Sequence, residues 1–213
     1  MVRYCGEMDV FEAIGTCRAI RYLKPDPVPT ELIDQMLWAA TRAPSPGNSQ
    51  GWDFIVVDDT EKKGRIAAEI RSVMAGRVAA MARPDKTTRL MLDGTAALLD
   101  TLGAAPVIIF VAGPVIYPPA APREQFTWSA LYPAAQNILV AARALGLGTT
   151  FTTMHMTAEP TVREVLGIPD PIKIAAMIPI GWPDAKFGPV KRRPVEEFVH
   201  RNGWEGDKRG FGN

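Results

Sequence analysis

Four short segments of this chain carry residue types that suit chemistry. The first is Arg18-Ala19-Ile20-Arg21. Two guanidinium groups three residues apart can converge on one anion, and the planar, permanently charged fork of arginine suits phosphate oxygens. Exposed arginines on a solvated turn are the ordinary alternative. The second segment is Ala43-Pro44-Ser45-Pro46-Gly47-Asn48-Ser49-Gln50-Gly51-Trp52. Its carboxamides each donate and accept, which suits a heterocycle with alternating donors and acceptors. A turn that bonds its own backbone would use the same residues. The third is Leu145-Gly146-Leu147-Gly148-Thr149-Thr150-Phe151. A glycine pair between a helix and a strand lets the backbone approach a flat ligand, or simply stops the helix. It is not GxGxxG and it follows a helix, so it is no dinucleotide fingerprint. The fourth runs from Lys191-Arg192-Arg193 to His200. Three cations can neutralise a phosphoryl group, or form a solvated charge run.

Other chemistries lack their residues. Two cysteines, Cys5 and Cys17, and two histidines, His155 and His200, have no metal-ligand spacing and make no disulfide framework. That usage fits a reducing compartment. No Ser-His-Asp set and no close carboxylate pair offers itself. A formal net charge of +1 with scattered Lys and Arg gives no footprint for nucleic acid. The N-terminus lacks a signal-peptide core, and the longest apolar runs, such as Pro106 to Val115, are too short for a bilayer. The expectation is a cytoplasmic protein without nucleic-acid or membrane partners. With 213 residues, 47% hydrophobic, the chain is sized for one domain with a substantial core.

The elements that must position these segments read as follows. Asp9 to Thr16 is a short helix with Asp9 as cap and Glu12 in a capping-box position, with Val10, Phe11 and Ile14 on one face. A proline-rich connector follows. Thr30 caps a second helix, Glu31 to Arg42, and Phe54–Val57 is a short strand. Thr60 to Met81 is a long helix wetted by Lys62, Lys63 and several arginines, followed by a helix from Arg89 to Leu102. Pro106 to Ala112 is the clearest buried strand. A proline-rich loop, Gly113 to Gln125, is long enough to suggest function. Thr127 caps a strongly apolar helix to Leu145, central or at a subunit interface. Strands at Thr149–Thr153 and Ile172–Ile180 flank a short helix from Pro160, and the last strand sets Ile174, Ala176, Ile178 and Ile180 on one side. The remainder, 182–213, has little periodicity but carries Trp182, Phe187, Phe198, Trp204 and Phe211, which suggests packing on a partner subunit. Few strands spaced by helices mean one α/β or α+β layered domain.

Taken in series, the four segments resemble the FMN-dependent nitroreductases. Cys17 to Arg21 stands where the family has an Arg-Arg-Ser-x-Arg-like motif, followed by Pro27-Val28-Pro29. Ala43 to Trp52 matches Ala-Pro-Ser-x-x-Asn-x-Gln-Pro-Trp, with Gly51 in place of proline. Gly146 to Thr149 matches a Gly-Leu-Gly-Thr turn, and Arg192 to Glu197 a basic Arg-x-Pro segment before Glu-Glu. The resemblance covers about residues 10 to 204 and implies a three-layer α+β fold, a central mixed sheet flanked by helices, in an intertwined homodimer. The domain would be 1–213, with 182–213 wrapping the partner.

By the same resemblance FMN binds non-covalently at the dimer interface. Arg18 and Arg21 would hold its phosphate, helped by Arg192 or Arg193, with Ala19 in place of a serine. Pro44, Ser45, Pro46 and Asn48 would face the flavin held mainly by the other subunit, and Gly148 and Thr149 would lie at the isoalloxazine edge. NADPH or NADH would donate a hydride, and a nitroaromatic, quinone or similar flat acceptor would then take its place, giving ping-pong kinetics. The alternatives are a specialised relative (a reductive dehalogenase or a flavin-fragmenting enzyme), a flavin-binding protein without turnover, or a structural subunit with an empty cleft. Tyr117, Phe126 and Trp128 are candidates for an aromatic lid, the segment Arg71 to Arg89 for a cleft wall, and His155 reads as structural more than catalytic.

Overall fold

The computed structural model describes residues 8–204. Cys5 and residues 205–213 of the C-terminal extension lie outside the described residues. In chain order the main elements are α1 (Val10–Thr16), α2 (Thr30–Ala40), β1 (Asp53–Val57), α3 (Thr60–Ala80), α4 (Lys86–Thr101), β2 (Val107–Gly113), α5 (Glu124–Ala144), β3 (Gly148–Thr149), α6 (Glu159–Leu166) and β4 (Lys173–Gly181).

The strand order is β1-β2-β4-β3, and each neighbouring pair is antiparallel. Two helices, α3 and α4, separate β1 from β2 and fold back on one another. The chain therefore re-enters the sheet at the end it left, which makes the pair antiparallel. The parallel component expected of a mixed sheet is confined, among the described residues, to one bridge between Ala19 and Thr149.

β2 is buried along its whole length. Its alternate residues feed two separate cores, as the period of two in a strand requires. Val107, Ile109 and Val111 pack with Met36 of α2 and Leu131 and Ile138 of α5. Ile108 and Phe110 pack with Ile66 and Ile70 of α3, Leu98 of α4 and Val162 of α6. Each such side chain contributes roughly 1.5–3 kcal/mol by leaving water, so the sheet is held from both faces and the fold has three layers. β4 departs from simple alternation. Val111 pairs with Ala176 but Ala112 pairs with Ile174, so Ala175 is an extra residue in a bulge. Ala175 and Ala176 both face the α2–α5 layer, and Ile174 is thrown to the other face. Ile174 thus does not share the side of Ala176, Ile178 and Ile180.

The helix starts follow side-chain caps where an aspartate precedes them. Asp9 Oδ2 accepts from Phe11 N at 3.0 Å, Asp59 Oδ1 from Lys62 N at 2.9 Å, and Asp85 Oδ1 from Thr88 N at 2.9 Å. Thr30 instead lies inside α2 behind Pro29, with no side-chain cap. α5 begins one turn before Thr127, whose buried hydroxyl donates to Pro114 O at 3.2 Å and ties the proline-rich loop to the helix. β3 is shorter than the expected strand, because only Thr152 rejoins the sheet, through a bridge to Met177. Lys63 is not on the wet side of α3. It is buried, and its ammonium donates to Ala105 O at 2.7 Å and Pro106 O at 2.9 Å, closing the chain just before β2. Burial pushes its pKa down.

Candidate functional site

The Arg18–Arg21 segment is laid along β3 by its backbone. Ile20 N donates to Thr149 O at 2.8 Å, and Thr150 Oγ1 donates to Ile20 O at 2.8 Å. Ile20, 1% exposed, is the anchor. Residues alternate in an extended chain, so Arg18 and Arg21 leave it in different directions. Gly148 is required by this packing. A Cβ there would lie 2.8 Å from Ile20 Cγ2 and 3.0 Å from Leu23 Cδ2. Only glycine admits the connector this closely.

Beside that ribbon is a cavity of about 430 Å³. Arg18, Ala19, Thr149 and Arg192 line it, so four of the residues singled out in the sequence meet there. Arg192 arrives because the chain after β4 returns across its own subunit. Trp182 Nε1 donates to Pro27 O at 3.0 Å, Asp184 N to Tyr22 O at 2.9 Å, and Val190 N to Gly15 O at 2.9 Å. Among the described residues no acidic side chain lines the cavity. Among the described residues Arg18 has no hydrogen bond or ion pair, and the guanidinium of Arg192 meets only the carbonyl of Lys191 at 3.0 Å. Two arginines edging one cavity, with no counter-ion among the described residues, are a donor set that can hold an anion.

Six further wall residues, Ile14, Cys17, Gln136, Leu139, Phe151 and Val190, were not assigned to the site from the sequence, although Cys17 and Phe151 lie within the segments singled out there. Phe151 lies two residues beyond Thr149 on the same side of an extended chain, and Gln136 and Leu139 are one helical turn apart on α5. Strand and helix periodicity carried that signal. Phe151 is 40% exposed and leans on Tyr132, which stacks on Trp128, with ring centroids 6.1 and 5.8 Å apart. Cys17 also lines the cavity, and burial pushes its thiol pKa up, with the nearby Arg143 opposing that shift.

Other candidates lie elsewhere. Arg21 does not line the cavity. Its side chain lies against Gly94 of α4, where a Cβ would be 3.2 Å from its Cδ. Burial, then the charge of Arg18, pushes the Arg21 pKa down. Arg193 pairs with Glu197 at 3.1 Å and covers Phe198. Pro44, Ser45, Pro46 and Asn48 form a separate turn before β1, and none lines this cavity. Ser45 Oγ accepts from Gln50 N at 3.0 Å, while the Asn48 carboxamide is exposed and without a hydrogen bond among the described residues. Asn48 and Gln50 both have positive φ, 50° and 49°, a cost that tends to persist at functional turns. Tyr117 fits over Gly47, whose Cβ would strike the ring, and meets Phe126 edge-on at 5.4 Å. The expected aromatic trio is therefore divided: Tyr117 and Phe126 sit by this turn, and Trp128 joins the ladder to the cavity. His155 is 1% exposed, its Nε2 lies 3.2 Å from Ile174 O, and it packs edge-on to Phe110 in the α3–α6 layer, away from the cavity.

No described helix is long and apolar enough to cross a membrane. The comparisons with known proteins agree with the geometry. The Nitroreductase family matches residues 14–182. An iodotyrosine deiodinase from Danio rerio is 27% identical over 186 residues, which is 85% of this chain and 63% of that protein, so the chain spans less than two thirds of its length. A 5,6-dimethylbenzimidazole synthase from Rhodospirillum rubrum is 30% identical over 202 residues, covering 88% of this chain and 85% of the synthase. Among solved structures, a Desulfovibrio desulfuricans protein described as a nitroreductase in complex with FMN aligns with TM-score 0.69 at 26% identity, over 93% of this chain and 99% of that one. A four-stranded antiparallel sheet between two helical layers, a cavity beside β3 edged by Arg18 and Arg192, and a family match over most of the chain lead to one conclusion: the chain belongs to the nitroreductase family.

Proposed function

We propose that the protein is an FMN-dependent NAD(P)H oxidoreductase, and that the cavity beside β3 holds the flavin. The carrying observation is the pair Arg18 and Arg192, unpaired with any carboxylate at the edge of a cavity of about 430 Å³. That size falls within the range of small-molecule pockets, roughly 300–1,000 Å³. The donor set fits the group: two guanidiniums for a phosphate, Gln136 and Thr149 for polar ring atoms, and Leu139 and Phe151 for apolar faces. Bound FMN would supply the two-electron carrier between NAD(P)H and an acceptor. The chain's own residues bind and orient it, and cations fixed beside it favour the anionic reduced state.

The active unit is a homodimer in this reading. α1 exposes Val10, Phe11 and Ile14, at 55, 80 and 51%. Next to them an apolar groove runs between α1, α2 and α5, past Trp38, Ala141 and Leu145. A second copy would cover this surface and bring its Ser45–Asn48 turn to the cavity. The chain is one domain, 1–213, with its C-terminal extension from residue 182 reaching the partner. Residues 182–192 cross their own subunit, and beyond them Val195, Phe198 and Trp204 stand exposed at 49, 55 and 82%.

A dedicated aromatic acceptor is favoured over broad nitro or quinone reduction, because the relatives include deiodinases and a benzimidazole synthase. An aryl halide would take up two electrons and a proton and release halide. The test is an absorption spectrum of the purified protein before and after anaerobic NADPH or NADH, then turnover with a nitroaromatic, a quinone and an iodotyrosine, reading iodide release and flavin integrity. A yellow protein that bleaches within seconds and releases iodide supports the reading. A bleaching protein that turns over only nitro or quinone acceptors keeps the class and overturns the dedicated acceptor. A protein that is colourless and takes up no FMN overturns the function.

A further inference from the structure

Arg143 stands outside the cavity and has no place in the proposed binding set, yet it is largely enclosed, unlike the exposed Arg18 and Arg192. Its side chain is 11% exposed in the last turn of α5. Nε donates to Thr16 Oγ1 at 2.8 Å, Nη2 lies 3.9 Å from Glu12 Oε1, and the guanidinium plane sits 4.1 Å from the ring centre of Phe187. Thr16 is two residues before Arg18. Phe187 is five residues before Arg192. Between these contacts the Val190 N to Gly15 O bond ties the returning chain to the end of α1. One side chain therefore joins the three segments that bring the cavity's two arginines together.

We infer that Arg143 is a positioning residue for anion binding: by bonding Thr16 and stacking on Phe187 it clamps the exit of α1 to the returning C-terminal segment, so that Arg18 and Arg192 converge on one phosphate. The clamp matters more here because the position before Arg18 is Cys17 and the one after is Ala19, leaving few side-chain donors in the segment itself. The two carriers have little to hold them otherwise. Arg18 and Arg192 are exposed, on segments without regular secondary structure. Ordering exposed side chains on a ligand costs conformational entropy, and a clamp on their segments lowers that cost. The charge of Arg143 also reaches the cavity wall, since it opposes the upward shift of the Cys17 thiol.

This inference rests on the FMN reading above, and its test separates the two. The full chain would be freed of flavin and titrated with FMN and with riboflavin, which lacks the phosphate, for wild type and for Arg143→Met, Phe187→Leu and Thr16→Val. Arg143→Met keeps an unbranched apolar stem and removes the charge. The expected result is about tenfold weaker FMN binding, the scale of one lost charge-assisted hydrogen bond, with riboflavin affinity unchanged and an unfolding midpoint within a few degrees of wild type. Equal weakening of both flavins, or no weakening, overturns the clamp. Should wild type bind neither flavin, the FMN reading fails, and tryptic cleavage after Lys186, Lys191 and Arg192 decides the clamp alone. Faster cleavage in Arg143→Met supports it, and an unchanged rate overturns it.

Discussion

Two regions of this subunit carry the polar residues that suit a flavin, and they are built differently. The first, beside β3, closes on itself: Arg18, Thr149, Phe151 and Arg192 meet around one cavity within a single chain. The second, the turn from Pro44 to Asn48, points its one free carboxamide into solvent and spends Ser45 on its own backbone. The first has charge without a partner, and the second has strained backbone and no cavity of its own size. In the homodimer proposed above, the difference has a use: one subunit would supply the cavity and the other the turn, so that neither region is a complete site alone.

The sharpest way to break that comparison is complementation. Arg18→Ala removes the charge of the first region and Asn48→Ala the carboxamide of the second. If the two regions meet only across subunits, a mixed dimer of these variants has one site with both residues intact and one with neither. Mixing the two inactive variants under subunit exchange should then restore one tight FMN in each mixed dimer, which averages to about half an FMN per dimer in a statistical mixture, following the closed symmetry of a homodimer. Flavin stoichiometry measured after mixing decides it, and no recovery would place both regions in sites made by one chain.

Next in size is the contrast between the two arginines of the first segment. Arg18 lines the cavity and Arg21 lies under α4 against Gly94. Loss of two charge-assisted hydrogen bonds to a phosphate corresponds to about a hundredfold or more in affinity. Arg18→Ala should therefore weaken FMN about a hundredfold and leave riboflavin alone. Arg21→Ala should change the ratio of FMN to riboflavin affinity by less than about threefold, since Arg21 does not line the cavity and its charge would reach the phosphate only at a distance. Equal ratios for both variants would return Arg21 to the phosphate.

Much of the first region was legible in the sequence, and for identifiable reasons. Paired arginines, a helix-stop glycine and a basic segment are local signals, and Arg18, Thr149 and Arg192 meet as the motifs suggest. The direction of Arg21 was not legible, because the alternation that separates it from Arg18 appears only once Ile20 is anchored on β3. Nor was the packing need at Gly148 legible, because the close approach of Ile20 and Leu23 exists only in the folded chain. The side change at Ile174 was hidden as well, since one extra residue, Ala175, reverses a period of two without leaving any composition signal. Helix starts behaved alike: Asp9 caps as its spacing implies, but Thr30 and Thr127 are overruled by a preceding proline and by burial.

A smaller effect tests how far the first region depends on packing. Gly148→Ala forces a methyl group into contact with Ile20 and Leu23, and over-packing of this kind costs roughly 1–3 kcal/mol. Gly188→Ala would meet only the end of the Arg18 side chain, at 3.9 Å, and should stay within about 0.5 kcal/mol of wild type. Denaturant unfolding of the two variants reads the difference. If Gly148→Ala is as stable as Gly188→Ala, the connector is looser than its contacts imply, and the convergence of Arg18 with Thr149 would need another cause.

The smallest expected effect comes from a group outside both regions. His155 is buried against Phe110, with Nδ1 unpartnered and Nε2 beside Ile174 O. Burial pushes its pKa down, against weaker upward effects of the Ile174 carbonyl and Glu159. The sign of the consequence follows from linkage. Above the unfolded-state pKa, about 6.5, both states hold a neutral ring and stability is unaffected. Below it the unfolded chain takes up a proton that the folded chain resists, so stability falls as pH drops from there towards the depressed folded value. Unfolding midpoints between pH 8 and pH 5 should therefore decline more for wild type than for His155→Phe, which keeps a ring in the pocket and cannot titrate. FMN affinity in the same window should change equally in the two proteins, because His155 belongs to the α3–α6 layer and touches neither the cavity nor the turn. A flavin affinity that follows His155 would mean that the sheet couples its two faces, and that the site cannot be treated as a property of one layer.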